Sequence, residues 1–86
     1  MALRRIVLDV LIPLQVSDIV LIERLSKIKG VEAVDIVIKE IERKVETTSI
    51  TIEGKNFDFK KIKEVIERAG ASIQNIDRIS AGKRLI

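Results

Sequence analysis

Three aspartates are the residues in this chain whose type and placement could do chemistry. Asp9 interrupts the aliphatic run Arg4–Ile12 (RRIVLDVLI), Asp35 interrupts VEAVDIVI, and Asp77 lies in the closing stretch ASIQNIDRISAGKRLI. A carboxylate set among aliphatics needs a partner, a proton or water, because burying it unpaired is strongly unfavourable. Oxygen ligands suit hard divalent cations, so Ca²⁺ or Mg²⁺ is the one cofactor class these residues leave open. Asp9 and Asp35 are expected two strands apart, about 9–10 Å. Calcium ligands sit only about 2.3–2.6 Å from the ion, so one ion barely bridges that pair. Asp9 with Asp77, one strand away, is the better pair. The simpler reading has Asp9 facing solvent or bonding the hydroxyls of Ser49 or Thr51.

Other chemistry is excluded more firmly. The 86 residues contain no Cys and no His. Thiol catalysis, imidazole acid–base work and the usual zinc, copper and haem ligands are therefore absent. No phosphate loop and no paired catalytic carboxylates are found, so the chain reads as a non-enzyme.

The elements that must hold the aspartates follow from periodicity. Gly30–Gly54 is the organising stretch. Val34, Ile36 and Ile38 alternate, a charged apex spans Glu40–Glu46, and Thr48, Ile50 and Ile52 alternate again. This spacing predicts a long hairpin turning near Arg43–Lys44, with one face on a core. Upstream, Arg4–Ile12 predicts a strand ended by Pro13. Ser17 is a fitting N-cap for a helix over Asp18–Lys29, closed by Gly30 in the left-handed region. Downstream, Asp58 caps a second helix with the apolar face Phe59, Ile62, Val65, Ile66 and Ala69, and Phe57 staples onto Ile62. Gly70 closes that helix. The last strand has Ile73, Ile76 and Ile79 at a spacing that needs a bulge near Asn75. Gly82 sets off a short tail.

The order β-α-β-β-α-β with right-handed crossovers predicts one ferredoxin-like α+β domain over residues 1–86. Its four-stranded antiparallel sheet has strand order 4-1-3-2 and both helices on one face. The other face is left open, with Val7, Leu11, Val37 and Ile41 expected on it. Ile19 and Val20 widen the first helix's apolar stripe, and Leu85 and Ile86 end the tail. Apolar surface of this kind marks an interface, so the predicted partner is the chain itself, by edge pairing or face-to-face stacking.

Composition agrees. Apolar residues make up 47% and aromatics 2%, so the core is aliphatic, and 34% charge in both signs suits a heat-adapted protein. With no signal peptide and no apolar run near the roughly 20 residues of a membrane span, a cytoplasmic, non-membrane protein is expected.

The chain resembles a small family of uncharacterised archaeal proteins, domain of unknown function 211. The likeness lies in ALRRIVLDVL, LSKIKGVEAVDIVIKEIE, SITIEGKNFDFKKIKEVIERAGA and IDRISAGKRL, which together cover nearly the whole sequence. It implies a ferredoxin-like fold and self-association, and no activity. Two alternatives to a self-assembling binding domain stand beside it. One is a small-molecule-sensing module similar to ACT domains, whose turn LSKIKGVEAVDI resembles, though the first loop lacks their usual glycine. The other is nucleic-acid binding through Arg4, Arg5, Lys60, Lys61, Lys83 and Arg84, disfavoured because the central strands carry no aromatic for base stacking.

Overall fold

A computed structural model describes residues 2–86. Its elements are β1 (Leu3–Pro13), α1 (Asp18–Ser26), β2 (Val31–Glu42), β3 (Val45–Gly54), α2 (Phe59–Arg68) and β4 (Ser72–Ala81). The strands form one antiparallel sheet in the order β2-β3-β1-β4, the expected ferredoxin-like α+β arrangement.

Alternation decides which side chains meet the helices. Ile6, Leu8, Val10 and Ile12 of β1 and Thr48, Ile50 and Ile52 of β3 are buried. Leu21 and Leu25 of α1, Ile62 and Ile66 of α2, and Phe57 close over them. Burying each such aliphatic contributes about 1.5–3 kcal/mol. Thr48 fits this layer because its hydroxyl donates to the Val10 carbonyl at 2.8 Å.

Both helices begin as the sequence dictates. The Ser17 hydroxyl accepts from Val20 N at 3.2 Å, and Asp58 Oδ1 accepts from Lys60 N at 2.9 Å. α1 is shorter than the periodicity predicted, ending at Ser26. Lys27 is its C-cap, and two tight turns, from Lys27 N to Arg24 O and Ile28 N to Leu25 O, carry the chain to Gly30.

Two glycines fix the base of the hairpin. Gly30 has φ +90°, and a Cβ on Gly54 would lie 2.0 Å from the Gly30 carbonyl oxygen. That oxygen also accepts from Lys55 N at 2.8 Å. Three irregularities matter for the open face. β2 slips register between Ile38 and Glu40, and β4 slips opposite Val7/Leu8 and Asp9/Val10. The β4 slips absorb Asp77 and Gln74, so Ile73, Ile76 and Ile79 all face the helix side although they are three residues apart.

Replacing Gly54 by Ala forces backbone apart from backbone. The expected loss is about 3 kcal/mol, measured as a lower midpoint in urea unfolding with an unchanged slope.

Candidate functional site

Register places Arg5, Val7, Asp9 and Leu11 of β1 on the sheet face away from the helices. Thr47, Ser49, Thr51 and Glu53 of β3 lie opposite them, followed by Asp35 and Val37 of β2. On the other flank, Val7 faces Arg78 and Asp9 faces Asn75 of β4.

Asp9 is the centre of this face, and the cation beside it is a lysine. Lys39 Nζ lies 3.7 Å from Asp9 Oδ1, an oxygen that is buried and accepts no hydrogen bond. Lys39 reaches it across β3 because it is in phase with Asp35 and Val37, which face the open side. No hydroxyl of Ser49 or Thr51 bonds Asp9 among the described residues. Asp77 is one strand away, as anticipated, with its Oδ1 held at 2.9 Å by Asn75 Nδ2. Asn75 therefore stands between the two carboxylates of the proposed pair. Asp35 sits opposite Thr51, which in turn faces Val7. Among the described residues, no three carboxylates gather where one metal ion would bind. The arrangement suits a partly screened ion pair on a sheet face.

The expected interface residues fall in three places. Val7, Leu11 and Val37 are on the open face, and Val37 is 50% exposed. Ile41 is not with them. The slip at Lys39 pairs it with Glu46, which faces Ile12, so Ile41 projects on the helix side, 65% exposed. There it continues a belt formed by Ile38 on β2 and Ile19 on α1, both exposed, whereas Val20 lies on the other flank of α1, in a groove with Val16 and Ala69. Ile19, Ile22, Ile36 and Ile38 with Asp18 line a shallow groove of about 190 Å³ between α1 and β2. The tail is tied down. Arg5 and Arg78 donate to the main-chain oxygen of Ile86 at 3.2 and 3.0 Å, and Arg4 donates to the Lys83 carbonyl. Leu85 is consequently half-buried, whereas the Ile86 side chain stays exposed.

One residue of the charged apex is not solvated. Glu46 is 7% exposed, on the helix side between Ile12 and Ile41 and next to Asp18, whose Oδ1 is also buried without a partner. Burial first, then the adjacent carboxylate of Asp18, raise its pKa above the usual glutamate range. The signal was present in the sequence: Glu46 is in phase with Thr48, Ile50 and Ile52. Lys39 is likewise in phase with Asp35 and Val37, but which aspartate it pairs with is set by strand register, which the alternation alone does not give.

A family model described as "Uncharacterized ArCR", domain of unknown function 211, matches residues 4–86. An uncharacterised protein of Methanocaldococcus jannaschii is 41% identical over 86 residues, covering 98% of this chain and 87% of that protein.

The raised pKa of Glu46 sets a pH dependence. As pH rises through the ordinary glutamate range, the unfolded chain releases this proton before the folded one does. Stability contributed by Glu46 is thus full in acid and is lost on the way up to the folded pKa. Glu46→Gln should match the wild type in melting temperature near pH 4 and exceed it near pH 7. Parallel melting curves across that range would contradict the assignment.

Proposed function

Since the chain belongs to this family of uncharacterised archaeal proteins, which brings no activity with it, we propose that it is a non-enzymatic domain that works as an assembly of its own copies. The observation that carries the reading is the free edge of β2. Among the described residues its regular stretch Ala33–Ile38 has no strand neighbour on the outer side, and it is flanked by exposed Ile19, Val37, Ile38 and Ile41. An edge of this length, without a proline and with aliphatics on both faces, is a template for another strand.

A second copy complements it. Two β2 strands run antiparallel about a twofold axis at Val37 would set Ile36 against Ile38 and Asp35 against Lys39. Apolar residues would then meet on the helix side and opposite charges on the open side. The α1 helices would approach over the same axis and cover Ile19 and Ile22. The opposite edge suits this role less well, because β4 carries two bulges and the exposed polar side chains of Gln74, Asn75, Asp77 and Arg78. Bulges and charge are the usual means of blunting an edge.

Light scattering coupled to size exclusion should return a multiple of the 9.7 kDa chain mass. The double variant Val37→Lys, Ile38→Lys should shift the population toward monomer by a factor of about 100 or more in dissociation constant, from two buried like charges on each copy. A wild type that stays at one chain mass at millimolar concentration would sink the proposal.

A further inference from the structure

The end of the molecule opposite the hairpin apex gathers cations from distant parts of the sequence. Lys29, Lys60 and Lys61 line a groove of about 680 Å³ with Phe59, Asn56, Phe57, Leu3 and Asp58. Arg4, Lys55 and Lys83 line a second groove of about 630 Å³, and Asn56 belongs to both. Asp58 is the one carboxylate lining either groove, and it is turned onto the backbone as the α2 cap. Among the described residues none of the five lysines forms an ion pair, whereas Arg5 nearby is taken by Glu53 at 2.9 Å.

The placement of Lys60 and Lys61 is electrostatically costly. They occupy the first turn of α2, which contains no acidic residue. Cations there oppose the partial positive charge of the helix start and each other, an opposition that the N-cap carboxylate of Asp58 offsets only in part. Packing does not demand them, since both are exposed. An anion seated between these lysines removes the conflict. Phe59, half-buried in the same groove, adds a ring face on which a planar base can stack. The groove volume lies in the range of small-molecule sites.

We propose that this groove binds a nucleotide, with phosphate held by Lys29, Lys60 and Lys61 and the base against Phe59. Arg4, Lys55 and Lys83 extend the cationic track for further phosphates. The same chemistry is offered by a free nucleoside phosphate and by a residue of a single-stranded nucleic acid.

Amide chemical shifts followed at low ionic strength test this, with inorganic phosphate, AMP, ATP and a short oligonucleotide as probes. AMP or ATP should move the signals of Asn56–Lys61 more than phosphate does. A further tightening with the oligonucleotide would assign the source to a strand, and its absence to a free nucleotide; either result supports the site. Lys60→Gln with Lys61→Gln should weaken binding about tenfold and raise the melting temperature, a combination that misfolding cannot give. Equal perturbation by phosphate and AMP would overturn the proposal. So would equal weakening by Arg43→Gln with Lys44→Gln at the far end of the molecule, or no shift in Asn56–Lys61 with any probe.

Discussion

Length is the constraint on which this structure depends. The helices have nine and ten residues and are about 14–15 Å long. The strands have ten to twelve residues and extend about 33–40 Å. Two short helices cannot cover so long a sheet even on the face where they pack. The middle of β1 and β3 is therefore sealed, with Leu8, Val10, Ile50 and Ile52 at or near zero exposure. The flanks stay partly bare: Ile38 and Ile41 on β2 and Ile76 and Ile79 on β4 are exposed on the helix side. The open face is bare by topology, and this second deficit is a matter of length.

The two flanks answer that deficit differently. β4 has two register slips that bring three isoleucines to one side, yet its other positions are polar and its edge is irregular. β2 keeps a regular segment and places aliphatics on both of its faces. Small domains of this size bury a limited share of their surface, and the chain has no Cys for a disulfide and no Cys or His for a structural zinc site. The proposed association with another copy would remove that apolar surface from water. The charged groups are sorted along the long axis as well. Glu46 and Asp18 lie toward the hairpin apex, and the lysine-lined grooves lie at the other end, near Gly30 and Gly54.

Much of this was legible in the sequence because it rests on local rules. Alternation in Val34–Ile38 and Thr48–Ile52 predicted the hairpin, and its turn falls at Arg43, which has positive φ. Ser17 and Asp58 predicted the helix starts, and Gly30 and Gly70 are both found at positive φ after the helices. Features set by register were less accessible. The need for a bulge in β4 was visible from the spacing of Ile73, Ile76 and Ile79, but the slip in β2 had no counterpart in the pattern. That slip moves Ile41 to the helix side. Glu46 was concealed by its charge: the period-two rhythm assigned it inward, and its neighbours in the apex suggested solvent. The anchoring of the tail was not legible, because Arg4, Arg5 and Arg78 hold it through bonds to main-chain oxygens, which no side-chain pattern encodes.

The central claim is that the outer edge of β2 is completed by another copy of the chain. Hydrogen exchange read at single-residue resolution, at two protein concentrations, tests it most directly. The outward-pointing amides of Ala33–Ile38 should be protected at high concentration and lose that protection on dilution, while the edge amides of β4 exchange at the same rate in both samples. Fast, concentration-independent exchange along Ala33–Ile38 would contradict the account.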